Sequence, residues 1–155
     1  MDTLKIHGRA VLRDFPLRLW AEQQEHYDGL LREFQLLLIG QGDEPVHEAP
    51  RALVELAEVF TSRFGPLIQA MNDERQAALD RGQDRMDSSV PLVEDAPAIL
   101  AQVDQVLAAA DEYCSRGDLL VLPRPAVLLA FGRWVSSELI RQYEGQEPVP
   151  WPGPF

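Results

Sequence analysis

Four stretches of this 155-residue chain place apolar residues three and four positions apart, which is the spacing of an amphipathic α-helix. Each stretch follows a helix start signal, and connections that contain Gly or Pro separate the stretches. Side chains at this spacing form an apolar stripe along one helix face, and such stripes are buried by packing against each other. The pattern predicts an all-α fold, an up-and-down helical bundle of four or five helices.

Capping and terminating residues predict where these helices begin and end. Asp14 and Asp95 have side chains that can cap free backbone amides, Pro16 suits a first helical turn, and glycines suit the ends. We therefore expect helices over residues 14–40, 50–82, 95–117 and 125–143.

A Gly-Pro pair, Gly65 and Pro66, lies inside the second stretch but does not shift the phase of its apolar stripe. Proline removes one backbone hydrogen bond and clashes with the preceding turn. We predict a kink at this point, and two abutting helices are the alternative.

Two segments between the predicted helices have no helical pattern. Residues 83–94 have few apolar anchors and contain Ser88, Ser89 and Pro91, so we expect the longest mobile connection there. The short apolar run 119–122 is expected to pack against or pair with residues 4–6, which would add a minor two-stranded β element to the bundle.

The C-terminal residues alternate with prolines, which forbid both a helix and a strand ladder. We predict one helical bundle domain over residues 1–145 and a Pro-rich extended tail over 146–155. Trp151 in this tail either covers the open end of the bundle or offers an extended ligand to another protein. Docking on its own bundle is the preferred interpretation.

The charge of the chain limits its partners. The net charge is −11, and residues 41–95 carry five basic and twelve acidic side chains. This excess would repel a phosphate backbone, so nucleic acid is not an expected partner. Long-range attraction would instead favour another protein with a basic surface.

The chain also lacks the features of an exported or membrane protein. Its single cysteine cannot form an internal disulfide, its first residues do not form a signal peptide, and its longest apolar run has six residues. We expect a cytoplasmic protein that does not enter a membrane.

Enzyme motifs are missing from the sequence. It has no Gly-rich phosphate loop, no paired-cysteine metal spacing, no His-Glu-x-x-His and no Gly-x-Ser-x-Gly. A carboxylate-bridged metal site in a bundle needs Glu-x-x-His on two helices, whereas Gln23 stands three residues before His26. We predict that the protein is not an enzyme and uses neither metal nor cofactor.

The candidate binding residues are polar or aromatic. Gln23, His26 and Tyr27, with Arg32 as a further candidate, form a polar patch on the first predicted helix that is suited to recognise a partner or a small ligand. A hydrogen-bonded, partly buried imidazole is the simpler interpretation of His26. The tryptophans of the helices lie at core spacing, which is also typical of plain bundle packing. The full set of candidates is Trp20, Gln23, His26, Tyr27, Trp134 and Trp151.

The stretch 15–34, FPLRLWAEQQEHYDGLLREF, resembles a segment of uncharacterised helical proteins from actinobacteria. Those proteins occur alongside anti-sigma factors and their antagonists, which are regulators of stress signalling. The resemblance implies a regulatory, protein-binding setting and assigns no functional residue.

These observations predict a non-catalytic regulatory or scaffold protein that binds another signalling protein through an acidic or polar helical surface. A homodimer is a further expected arrangement. The alternative is a small-molecule sensor with a pocket between the first and fourth helices, lined by Trp20, His26, Tyr27 and Trp134.

Overall fold

The computed structural model describes residues 5–41, 48–116 and 120–155. The prediction of a mainly helical chain is confirmed, but two strands form a small antiparallel sheet, so the fold is not purely all-α. Its elements are, in chain order, β1 (Ile6–Pro16), α1 (Leu17–Gln41), α2 (Glu48–Asp80), β2 (Arg85–Val93), α3 (Ala96–Ser115) and α4 (Ala126–Tyr143).

The sheet joins the two ends of the α1–α2 segment. Strand β1 leads directly into α1, and β2 follows α2 and pairs antiparallel with β1, from Ile6 opposite Val93 to Pro16 opposite Arg85. Ala10 and Leu12, two positions apart on β1, are fully buried. Because alternate strand residues point to the same face, β1 covers the core with one face. The sheet therefore closes the base of the helix pair.

The predicted start of the first helix was wrong. Asp14 belongs to β1, where residues 13 and 14 lie opposite a single residue of β2, and its φ of 52° is that of a bulge. Its backbone N–H donates to the Asp87 carboxylate at 3.1 Å. The bulge turns Phe15 into the core, and Pro16 closes the strand, so α1 begins only at Leu17.

The predicted mobile connection over residues 83–94 was also wrong, because most of it forms β2. The expected two-stranded element exists, but Ile6 pairs with Val93 and not with residues 119–122. Leu4 and Leu119, at the ends of the expected pairing, lie outside the described residues. The pairing that does form joins segments on either side of α1 and α2, and no local pattern reveals it.

The long helix α2 runs without interruption through Gly65 and Pro66, so the alternative of two abutting helices was wrong. The kink itself remains a prediction. Gly82 follows the helix with a φ of 83°. Its N–H donates to the Leu79 carbonyl at 2.9 Å, and the N–H of Gln83 donates to the Ala78 carbonyl at 3.1 Å. These two bonds satisfy carbonyls of the last helical turn, as glycine commonly does after a helix.

The remaining predicted helix ends agree with the structure to within a few residues. α4 ends at Tyr143 as predicted, and Gly145 follows with a φ of 91°. α3 begins directly after Asp95, but the Asp95 side chain makes no capping hydrogen bond. Gly117, the predicted end of α3, lies outside the described residues.

The buried apolar side chains form two clusters. The first lies where the sheet, α1, α2, α4 and the tail meet: Ala10, Leu12, Phe15, Leu17, Leu19, Trp20, Ala78, Leu92, Leu128, Phe131, Leu139 and Trp151. The second lies between α1, α2 and α3: Leu30, Phe34, Leu53, Leu107, Ala110 and Cys114. None of the helices within the described residues has both the length and the apolar character needed to cross a bilayer.

A buried arginine links α2 to both strands. The Arg75 guanidinium lies 4.3 Å from the centre of the Phe15 ring, and its Nε–H donates to the Ser88 hydroxyl at 3.0 Å. Burial lowers the pKa of Arg75 to about 10, because desolvation disfavours its charged form. The aromatic ring and the hydroxyl partly replace the lost hydration.

The Pro-rich tail has neither helix nor strand, and it docks on its own bundle. The backbone N–H of Trp151 donates to the Arg13 carbonyl at 3.0 Å, and the indole packs edge-on against Phe131 and Trp134. The buried carboxylate of Glu138 accepts the N–H of Val149 at 2.7 Å. Hydrogen bonds along the tail and the buried Trp151 side chain thus hold it against the bundle.

Gly153 allows the chain to turn back over the Trp151 ring. A Cβ atom at position 153 would lie 2.5 Å from the indole, a distance that no packed structure allows. The turn lets the indole Nε1–H donate to the Pro154 carbonyl at 2.9 Å. The polar atom of this buried side chain is therefore satisfied within the tail itself.

We expect Trp151→Ala to lower the free energy of unfolding by about 3–5 kcal/mol, because the substitution leaves a large cavity beneath the tail. Thermal unfolding followed by circular dichroism should show a melting temperature lower by roughly 10 °C. Phe155→Ala is the matched control, since Phe155 is 41% exposed, and it should change stability little. Equal losses for the two variants would contradict this account of the tail.

Candidate functional site

A segment without helix or strand, residues 120–124, lies on the surface of α1, and we call it the strap. The Glu33 carboxylate accepts the N–H groups of Leu120 at 2.8 Å and Val121 at 3.0 Å. Val121 packs beside Gly29, since a Cβ atom at position 29 would lie 3.8 Å from the Val121 Cγ2. One face of the strap is therefore pinned to α1, and Leu120 on its other face is 95% exposed.

His26 holds the middle of the strap. Its Nε2 lies 2.9 Å from the Leu122 carbonyl oxygen, which can only accept, so Nε2 carries a proton and donates. The other ring nitrogen, Nδ1, is buried without a hydrogen-bond partner. This arrangement matches the simpler interpretation of His26 as a hydrogen-bonded, partly buried imidazole.

A buried polar cluster follows at the end of the strap. The Arg124 side chain is 9% exposed and pairs with the Asp111 carboxylate of α3, at 2.9 Å from Nε and 2.8 Å from Nη2. Tyr27 and Gln23 complete the cluster, with the Gln23 amide donating to the Tyr27 oxygen at 3.0 Å. Gly132 of α4 leaves room for the guanidinium, since a Cβ there would lie 3.4 Å from Nη1. The cluster thus ties α1, α3, α4 and the strap together.

Burial raises the pKa of the Tyr27 phenol above its ordinary value of 10.0, because desolvation disfavours the phenolate. The Arg124 cation and its hydrogen bond to the phenol oppose this shift without cancelling it. Burial likewise raises the pKa of the Cys114 thiol to about 11, with Asp111 and Glu33 adding to the effect. Cys114 is therefore a buried, protonated thiol, which agrees with its place on the apolar face of α3.

The six predicted binding residues divide into two groups. Gln23, His26 and Tyr27 lie together at the strap, as the polar patch predicted. Trp20, Trp134 and Trp151 lie at the core around Phe131, with Trp134 and Trp151 in edge-on contact at 5.5 Å between ring centroids. The Trp134 Nε1–H donates to the Val149 carbonyl at 3.2 Å, so these aromatic rings hold the tail.

A groove that sequence reasoning missed lies on the outer face of α2 and α3. Two neighbouring cavities of about 390 and 270 Å³ both contain Ala52 and Val106, and together they form what we call the α2–α3 groove. Arg116 lies at one end and Arg63 at the other. Because the N-terminal end of α2 faces the C-terminal end of α3, the two helices that form its walls are antiparallel.

The lining of the α2–α3 groove is apolar at its floor and acidic at its edges. Ala49, Ala52, Val106 and Ala109 give a floor of small side chains. Exposed carboxylates stand along the edges, from Glu48 and Glu55 on α2 and from Glu112 on α3. The alanine run 108–110 and the acidic excess of residues 41–95 are the sequence signals that could have indicated this surface.

A polar cavity of about 400 Å³, separate from the α2–α3 groove, lies between α3 and α4. Asp104 and Asp111 line its α3 side, and Arg133 lines its α4 side next to Arg124. Ser136 donates to Asp104 at 3.1 Å, and Asp111 is engaged by Arg124. Asp104 and Arg133 are both exposed, so a carboxylate of α3 and a guanidinium of α4 can meet a solute in this cavity.

Within the described residues, no group of three or more His, Cys, Asp or Glu side chains is arranged to hold a metal ion. The chain matches no protein-family model, no curated protein and no solved structure.

We expect Tyr27→Phe to reduce the alkaline loss of stability. Because the pKa of Tyr27 is raised in the folded state, the folded chain keeps this proton longer than the unfolded chain does. The contribution of the Tyr27 phenol to stability is therefore complete below pH 10, and it is lost as the pH rises through the raised pKa of the folded state. Urea unfolding at about pH 8 and about pH 10.5 should show a smaller loss for the variant than for the wild type. Identical losses would contradict the buried phenol.

Proposed function

We propose that this chain is a non-catalytic regulatory or scaffold protein that binds another signalling protein through the α2–α3 groove. The observation that carries the proposal is an open groove with an apolar floor and carboxylates along its edges. An amphipathic helix of a partner protein lays its apolar face into a groove of this kind. The resemblance of residues 15–34 to proteins of stress-signalling clusters supports a regulatory, protein-binding setting.

The charge of the two helices supports a basic partner. α2 carries six acidic and three basic side chains, and α3 carries three acidic and no basic ones. Such a surface attracts a cationic partner before contact and repels nucleic acid. Because exposed charges are screened by salt, binding should weaken as the ionic strength rises.

The polar cluster at the strap supports a non-catalytic role. The hydrogen-bonding groups of Tyr27, Arg124 and Asp111 are directed at each other and at the strap backbone. A catalytic acid or base must instead reach a substrate proton at hydrogen-bond distance. The cluster contributes to the structure by holding the strap against α1 and α3.

We expect Glu55→Lys with Glu112→Lys to reduce partner capture to background. The double variant replaces two negative charges at the groove edges with positive ones, so a basic partner meets repulsion. The test is a pull-down from the source cells with the tagged chain as bait, in which each captured protein is quantified by mass spectrometry. The same proteins should be lost from the wild-type bait when salt is raised.

The matched control is Glu22→Lys with Glu25→Lys, which makes the same charge change on exposed residues of α1. This variant should capture the partner as the wild type does. Equal loss in both variants would mean that the net charge of the chain, and not the α2–α3 groove, governs binding. Undiminished capture by the groove variant would refute the proposed surface.

The small-molecule sensor is the second candidate function, and the 400 Å³ cavity between α3 and α4 is the observation that favours it. Carboxylates and guanidinium groups line the same cavity, which suits a small zwitterion with one charge of each sign. None of the residues predicted to line a sensor pocket, Trp20, His26, Tyr27 and Trp134, lines this cavity.

For this second function, a panel of amino acids and betaines should include a compound that raises the melting temperature in a concentration-dependent way. A ligand at about one hundred times its Kd stabilises a fold by about 2.7 kcal/mol, which a thermal scan detects easily. Arg133→Gln should abolish the rise, and Arg18→Gln, an exposed arginine of α1, should retain it. A panel without any such compound, or a rise that survives Arg133→Gln, would remove the sensor function.

A further inference from the structure

We infer that the segment bound in the α2–α3 groove is an amphipathic, cationic helix of about four turns, supplied by a different protein. This inference rests on the proposed function and adds the chemistry of the partner. Three features of the groove support it: the small side chains of its floor, its length, and the distribution of charge around it.

The floor is shaped for a third helix. Ala49, Ala52 and Ala109 have the smallest side chains that still bury apolar surface, so the backbone of a ligand helix can come close to both walls. Packed helices lie 8–10 Å apart depending on the side chains between them, and alanines permit the short end of that range. An antiparallel helix pair with such a floor provides a continuous binding site for one more helix.

The length of the groove sets the length of the ligand. From Ala49 to Phe64, α2 advances 15 residues, or about 22 Å at the α-helical rise. A ligand helix of the same length has roughly four turns and presents four or five apolar side chains on one face. The far half of the groove offers Val59, Phe60 and Ile99 to those side chains, and Val59 is 55% exposed.

The charges favour Lys and Arg beside the apolar stripe of the ligand. Glu48 and Glu55 are seven residues apart, so both lie on the same side of α2, and Glu112 stands on the α3 wall. The two arginines of the groove lie over aromatic rings, Arg63 at 5.0 Å from Phe64 and Arg116 at 5.8 Å from the Tyr113 ring. The groove lining therefore carries three carboxylates and two guanidinium groups, a net charge of −1, and its carboxylates can pair with cations of the ligand.

Charge also disfavours a second copy of this chain as the occupant. α1 carries four acidic and two basic side chains, and α2 and α3 are more acidic still. α4 has two basic and one acidic side chain, but it buries Leu128, Phe131 and Leu139 in its own core. A homodimer through the groove would therefore place acidic helices against acidic edges, which costs free energy.

The test places the photocrosslinking residue p-benzoylphenylalanine at Gln105 or Val59, both exposed in the groove, in the full-length chain. The same residue at Leu122 reports on the strap, where Leu120 and Leu122 expose apolar side chains outside the groove. After irradiation in the source cells, mass spectrometry identifies the crosslinked peptide. We expect both groove positions to label one segment with apolar residues three and four apart and a positive net charge.

The outcomes separate this inference from the proposed function. Crosslinks from Leu122 but not from the groove positions would mean that the chain binds a protein at another surface. The α2–α3 groove would then be refuted as the binding site. Crosslinks from the groove to an acidic or non-helical segment, or to a second copy of the chain, would overturn the cationic helix. If none of the three positions labels a protein, both the inference and the proposed function fail.

A quantitative arm uses the labelled segment as a synthetic peptide, with binding measured by fluorescence anisotropy. Ala109→Arg, which puts a long cation on the groove floor, should weaken binding at least tenfold. Ala101→Arg makes the same change at an exposed position of α3 outside the groove lining and should bind as the wild type does. The peptide should gain helical circular dichroism on binding. Equal affinity for the two variants, or binding without helix formation, would overturn the inference.

Discussion

The antiparallel pairing of β1 with β2 is the interaction on which the rest of this structure depends. It joins the N-terminal start of α1 to the C-terminal end of α2, so two long helices that would otherwise be held by their apolar stripes alone are closed at their base. The buried face of β1 then supplies Leu12 and Phe15 to the core that α4 and the tail complete. Arg75 of α2 contacts both strands of this sheet, through Phe15 of β1 and Ser88 of β2.

Carboxylates hold the segments that have no regular secondary structure. Glu33 accepts two N–H groups of the strap, Asp111 accepts the N–H and guanidinium of Arg124, and Glu138 accepts an N–H of the tail. An extended segment cannot pair its own backbone groups, and buried N–H groups need an acceptor. These acidic residues are therefore structural. The exposed carboxylates of α2 and α3 make up the part of the acidic excess that the proposed recognition uses.

The sequence predicted the helices more successfully than the strands, for a physical reason. A helix buries a stripe that recurs every three or four residues, and α4 and most of α2 and α3 follow from that local pattern. Pairing of β1 with β2 links segments on either side of two helices, so Asp14 was interpreted as a cap when it occupies a bulge. The polar patch of Gln23, His26 and Tyr27 was predicted as a group because its members share one helix. Asp111 and Arg124 were missed because they join that patch from elsewhere in the chain.

The amino-acid sequence by itself determined the mainly helical character, the negative charge and the absence of helix and strand from the tail, because periodicity, side-chain ionisation and proline geometry act over a few neighbouring residues. Only the tertiary structure decided which residues each surface brings together. It placed Trp151 in the core of its own bundle and closed the helix pair with a sheet. It also set two alanine-bearing helix faces side by side as an open groove. Such juxtapositions arise from contacts between residues far apart in the chain, and no local pattern encodes them.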